Sequence, residues 1–299
     1  MDQTSLRFDV SEALGVENGY IAGTLFRPAG PCSDCLDLYV AIHGAGYQRR
    51  YWNAQFAGFP GYSYAEHVTG RGCLLLTLDM PGMGESVRPD PAERLNTASA
   101  AAALHQAVAA AVGELRAEGL APTVTGIGHS LGGMMSIAQQ AAHRSFDRLA
   151  VIGWANQPPV LGDVDVADLV ASLADGYLAS PRSAMRALFY APDVPVALIE
   201  ADEAEASRTP ANYGRDALTP GIVHQAAAAI DCPVFLGYGA IDTSPVPHAE
   251  PGFFPASADV TLAVWAGAAH CHNFAATRQA VWARIDRWVE SIRAEGAAP

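Results

Sequence analysis

The stretch that decides the fold is Thr123–Gly133, Thr-Val-Thr-Gly-Ile-Gly-His-Ser-Leu-Gly-Gly. Thr123–Ile127 reads as a short apolar strand, and the residues after Ser130 read as a helix running to about His143. Between them, Gly128-His129-Ser130-Leu131-Gly132 has room only for a sharp turn. A serine in such a turn takes a strained backbone conformation and stands above the sheet, with flanking glycines allowing close chain approach. The helix N-terminus then favours any negative charge that develops beside the hydroxyl. A glycine-rich helix start with a capping serine is the competing reading. The Gly-x-Ser-x-Gly string is weak by itself; the strand–turn–helix setting makes it specific.

Outward from this turn, strands and helices alternate. Leu6–Val10 and Tyr20–Arg27 read as a polar-alternating hairpin. Leu36–Ile42 and Cys73–Asp79 read as buried strands that end in His43-Gly44-Ala45-Gly46 and Asp79-Met80-Pro81-Gly82-Met83-Gly84. A long amphipathic helix fits Ala98–Glu118. Leu149–Trp154, Pro233–Tyr238 and Val260–Trp265 are further strands, and Phe274–Ile292 a closing helix. This pattern predicts an α/β fold with a mostly parallel sheet covered on both faces. Reacting groups then belong on loops at the carboxyl ends of strands. Between Pro158 and Pro220 the alternation stops. Helical patches at Val166–Gly176, Arg182–Tyr190 and Pro195–Ala206 occur without a convincing strand. We expect an inserted helical cap over 158–220, with the core formed by 1–157 and 221–299. The stretch, about sixty residues, is too long for an ordinary crossover.

Composition narrows the function. The chain has 299 residues, 50% of them hydrophobic, enough for a sizeable core. Its 31 acidic and 18 basic residues give a net charge of −13, which disfavours nucleic acid and anionic membranes as partners. All 18 basic residues are Arg. Without Lys there is no Schiff base, no pyridoxal chemistry and no Walker-type phosphate lysine. Met1–Val10 lacks an apolar h-region and no long uncharged apolar run occurs, so a cytoplasmic location is expected. The 5 Cys are an odd number and widely spread, as in a reducing compartment. Cys32 and Cys35 form a lone CxxC, read as a polar turn because no second pair completes a zinc site. No metal and no cofactor is expected.

A serine hydroxyl needs a base. His270 follows the last strand in Gly267-Ala268-Ala269-His270 and is the preferred base, because the loop after the strand reaches the sheet edge there; His272, two residues on, stays open by spacing. The base in turn needs an acid, and Asp242 follows the Pro233–Tyr238 strand. Two backbone donors would hold an oxyanion: Leu131 N–H after the serine, and Ala45 N–H after the Leu36–Ile42 strand, with Gly46 the lesser candidate. His43 is read as fixing that loop and His129 as shaping the pocket wall or packing behind it. Trp154 in the core and Tyr177, Phe189 and Tyr190 in the cap are the candidate substrate contacts. Cys271 reads as a small buried residue.

Five pieces in order resemble the α/β-hydrolase superfamily: His43-Gly44-Ala45-Gly46, Asp79-x-Pro81-Gly82-x-Gly84-x-Ser86, Gly128-His129-Ser130-Leu131-Gly132-Gly133, Gly239-x-x-Asp242 and Gly267-x-x-His270. The resemblance implies an eight-stranded mostly parallel sheet, a cap after the sixth strand, and a Ser130–Asp242–His270 triad. The expected activity is serine hydrolysis of a small to medium, apolar or aromatic carboxylic ester or lactone through an acyl-enzyme. A thioesterase or a C–C bond hydrolase or lyase on the same triad is the alternative, and a non-catalytic binding protein of the same fold is a third class. The partner is a small ester, lactone or thioester; homo-oligomerisation stays open.

Overall fold

Two apolar clusters lie on opposite faces of one eight-stranded sheet. Alternation along each strand decides which face a side chain joins. The computed structural model describes residues 1–30, 37–179 and 181–296. The Cys32–Cys35 pair lies outside these described residues. The chain begins with β1 (Asp2–Asp9), a one-turn α1 (Ser11–Leu14), β2 (Tyr20–Arg27), β3 (Asp37–Ile42), α2 (Tyr64–Gly70) and β4 (Leu74–Leu78). It continues through α3 (Thr97–Ala117), β5 (Thr123–His129), α4 (Leu131–His143) and β6 (Arg148–Ile152). An inserted segment follows, with α5 (Val166–Ala171), β7 (Tyr177–Ala179), α6 (Arg186–Phe189), α7 (Val196–Ala204), β8 (Arg208–Pro210) and α8 (Ala211–Ala217). After α9 (His224–Ala228) come β9 (Val234–Ile241), β10 (Val260–Ala269) and α10 (Arg278–Gly296).

The large sheet has the order β1-β2-β4-β3-β5-β6-β9-β10. β1 pairs antiparallel with β2, and β2 antiparallel with β4; every other pairing is parallel. Leu38, Val40 and Ile42 of β3 join the cluster that holds Leu104 of α3 and Met134 of α4. Tyr39 and Ala41 join the other, with Val68 of α2 and Trp282, Ile285 and Trp288 of α10. Covering both faces buries the central strands completely, which explains their near-continuous apolar sequence. Among the described residues no helix is long and apolar enough to cross a membrane.

Three expectations are corrected. The inserted segment does contain strands: β7 and β8 form an antiparallel pair. Its first helix stops at Ala171, because Asp175 and Gly176 both take positive φ (51° and 76°) and turn the chain back between Ala174 and Tyr177. The closing helix starts at Arg278, since Ala275 is extended after a one-turn 3-10 helix at His272–Phe274. The first two strands do pair antiparallel as expected of a hairpin, with α1 between them.

Candidate active site

At the end of β5 the backbone makes the expected elbow. Ser130 has φ 54° and ψ −121°, a strained conformation, and its N–H donates to the Ile152 carbonyl at 2.8 Å. Its side chain makes no capping bond to α4, so the helix-capping role is absent. The glycines fit their predicted purpose. A methyl on Gly132 would collide with the carbonyl oxygens of Ile42 and His43, and one on Gly128 with Gly132 itself. A methyl on Gly44 would press against His129 and Ser130, so the loop after β3 lies directly against the elbow.

His270 and Asp242 meet at the ends of β10 and β9. His270 Nδ1 and Asp242 Oδ1 are 2.7 Å apart. Asp242 also accepts from the backbone N–H groups of Gly239 at 2.8 Å and Thr243 at 2.7 Å. Burial opposes its charge, but the His270 charge and hydrogen bond, with a smaller share from His272, outweigh it. The carboxyl is held well below the usual carboxylate range. His272 is the other open candidate, and its Nε2 lies 3.2 Å from Asp242 Oδ2 at a poor hydrogen-bonding angle. Both histidines therefore face one carboxylate. Only His270 shares a cavity wall with Ser130.

His129 lies behind the pair and donates from Nε2 to the His270 carbonyl at 2.8 Å. Burial, then the neighbouring His270 and His272, push its pKa well below the usual value, so it stays neutral. His43 fixes its own loop as expected: Nδ1–H donates to the Gly44 carbonyl at 2.9 Å, and Nε2 accepts from Met80 N–H at 3.2 Å. Burial lowers its pKa as well. Asp79 accepts from Arg49 and from Glu85 N–H, and a side chain at Gly84 would collide with it; the Asp79–Ser86 motif is a structural knot.

Ser130 and His270 line a cavity of about 130 Å³. Ala45 and Leu131 line it too, and Leu131 N–H, at the first turn of α4, has no intrahelical acceptor. Gly46 N–H is already taken by Thr209 Oγ1 at 2.9 Å. His129, Trp154 and Phe189 reach the wall, but Gly46, Tyr177 and Tyr190 do not. Tyr190 donates instead to Asp202, and the Tyr177 ring packs under Arg88 and Arg208. Leu161, Met185, Leu178 and Thr209 also line the wall and carried no sequence signal, because each arrives from the inserted segment through tertiary packing. Burial and then Asp202 raise the Cys271 thiol, which keeps it protonated. A larger polar cavity of about 600 Å³, between Arg50, Gln55 and Glu205, does not reach Ser130. Among the described residues no group of three or more His, Cys, Asp or Glu is placed to hold a metal ion.

A sequence model of the alpha/beta hydrolase family matches residues 39–284. A sequence search among curated proteins finds no significant match. Solved structures resemble the chain across its length. A soluble variant of the monoglyceride lipase of Saccharomyces cerevisiae superposes with a TM-score of 0.71 at 14% identity, covering 96% of this chain and 94% of that one. A proline iminopeptidase of Mycobacterium smegmatis gives 0.65 at 17%, covering 96% and 98%. An enol-lactonase of Burkholderia xenovorans gives 0.63 at 16%, covering 92% and 98%. At these identities the likeness is one of fold.

Proposed function

The chain belongs to the alpha/beta hydrolase family, and from that premise we propose that it is a serine hydrolase of carboxylic esters or lactones. The observation that carries the reading is the meeting of a strained, uncapped Ser130 with the 2.7 Å His270–Asp242 pair at one cavity. Ser130 Oγ attacks the carbonyl carbon while His270 Nε2 takes its proton. Leu131 and Ala45 N–H groups hold the oxyanion. Collapse expels the alcohol, which receives the proton from His270. A water deprotonated by His270 then attacks the acyl-enzyme, releasing the acid and restoring Ser130. Asp242 keeps the proton on His270 Nδ1 and steadies the imidazolium.

The cavity supports a small apolar acyl group. Its volume is well below the roughly 300–1,000 Å³ of ordinary ligand pockets, and Leu131, Trp154, Leu161, Met185 and Phe189 dominate its wall. No Arg, Asp or Glu lines it, which favours a neutral ester over a thioester on a phosphorylated carrier. We read residues 158–220 as a cap, because they supply the wall opposite the sheet. Free, buried Cys73 and Cys271 fit a cytoplasmic setting.

Fluorophosphonate labelling beside a graded panel of esters, lactones and thioesters tests the reading. Labelling should vanish in Ser130→Ala, and hydrolysis should fall about 10⁴-fold or more in a folded protein. Near-normal turnover in that variant would remove the serine mechanism.

A further inference from the structure

The inserted segment holds the oxyanion loop from both sides of one glycine. Gly46 N–H donates to Thr209 Oγ1 at 2.9 Å, and the Gly46 carbonyl accepts from Ser207 N–H at 2.9 Å. Gly46 has φ 72°, the left-handed region, where a glycine backbone turns easily unless its peptide groups are tied. The preceding peptide is tied as well. Its Gly44 carbonyl accepts from His43 Nδ1–H at 2.9 Å and from Tyr47 N–H at 3.3 Å. The N–H of that same rigid peptide is Ala45 N–H, which points the opposite way and has no partner among the described residues. Ala45 N–H is thus aimed by fixing its own peptide, through the Gly44 carbonyl, and the peptide that follows it, through Gly46 N–H.

Three of these ties come from the core loop itself or from backbone. The remaining one is a single side-chain oxygen. Thr209 is 3% exposed, lines the cavity beside Ser130, and sits on β8 opposite Leu178 of β7. That small sheet is anchored in turn. Arg182, Tyr47 and Tyr190 converge on Asp202 Oδ2, joining the segment to the loop after β3.

We propose that Thr209 is a positioning residue for the oxyanion hole: by accepting Gly46 N–H it sets the direction of Ala45 N–H. The inserted segment is then part of the catalytic apparatus as well as a wall for substrate. The proposal rests on the serine-hydrolase reading of Ser130 and Ala45. The physical need is clear. A buried N–H without an acceptor is costly, so without the hydroxyl the Gly46 peptide turns toward another partner and carries Ala45 with it.

The test is steady-state hydrolysis of p-nitrophenyl butyrate, with binding of a trifluoromethyl ketone as tetrahedral mimic. Losing an oxyanion donor outright costs about 10²–10³ in kcat; misaiming one should cost roughly 10–100-fold. Thr209→Val should therefore lower kcat by that factor while KM moves by less than about 3-fold, and weaken the ketone in proportion. Thr209→Ser, which keeps the acceptor, should restore both. Thr209→Ala is the second variant should valine fail to fold, and must give the same split. Normal kcat in Thr209→Val, a rise in KM alone, or failure of Thr209→Ser to rescue would each overturn the proposal. Ser130→Ala separates the two levels. If it is inactive while Thr209→Val is normal, only the Thr209 role falls; if it stays active, the serine reading falls and takes the oxyanion hole with it.

Discussion

Asp242 is a single carboxylate facing two histidines, and its two oxygens divide the work. Oδ1 takes His270 Nδ1, while Oδ2 takes Gly239 N–H and faces His272 Nε2. Because its folded pKa is depressed, Asp242 contributes stability above its ordinary range near pH 3.9, and that contribution is lost as pH falls through the depressed value. No acid limb of the rate profile above about pH 4 should therefore trace to its protonation. The histidines separate by variant. His270→Ala should lose about 10⁴-fold in kcat, with little further loss on adding Ser130→Ala, since the members act as a unit. His272→Ala should cost far less, because its weakly aligned contact reaches only the far oxygen. Measured kcat in the opposite order would move the base to His272. Spacing alone left these two open; only the folded chain puts one of them, His270, in a cavity wall with Ser130.

Among elements, the elbow between β5 and α4 is a close join. Gly132 lies against the carbonyls of Ile42 and His43, so α4 begins in contact with the end of β3. Gly132→Ala should push α4 off the sheet and destabilise the protein by about 1–3 kcal/mol, the ordinary cost of overpacking. A urea midpoint unchanged from wild type would mean the join is looser than its geometry. This element was legible because glycine, serine and a change from strand to helix period all fall within Thr123–Gly133. The β7–β8 pair was not. Each strand has 3 residues, too short to set a period, and they meet only because Asp175-Gly176 turns one back and α6 and α7 return the other.

At the scale of the whole molecule, a buried charged node helps the Gly46 ties fasten the inserted segment to the core. Asp202 accepts from Tyr47 Oη at 2.8 Å, from Tyr190 and from Arg182 at 3.0 Å, and Arg182 stacks over the Tyr47 ring. Burial raises the Asp202 carboxyl pKa, with Arg182 opposing. The sign is opposite to that of Asp242. A raised folded pKa favours the folded state below the ordinary carboxylate range and loses that advantage as pH rises through the raised value. Asp202→Ala leaves the Arg182 charge buried and unpaired, and should cost about 3–5 kcal/mol in denaturant unfolding. Asp202→Leu combined with Arg182→Met should recover much of it. Equal losses in the single and double variants would show that packing of the segment, and not the charge pair, holds it to the core.

The sequence by itself determined what is written in local order. Continuous apolar runs specify buried parallel strands, the glycines around Ser130 specify a sharp elbow, and strand ends carry Ser130, Asp242 and His270 in turn. These signals survive because period, turn chemistry and strand-end position act over a few neighbouring residues. Tertiary structure alone decided that His270 and not His272 shares the cavity, and that Tyr190 turns to Asp202 while Phe189, its neighbour, reaches the pocket wall. It also brought Thr209 to Gly46 across a separation of 163 residues. Contacts at that distance depend on how whole elements pack, and no local spacing encodes which of two adjacent side chains will face a cavity.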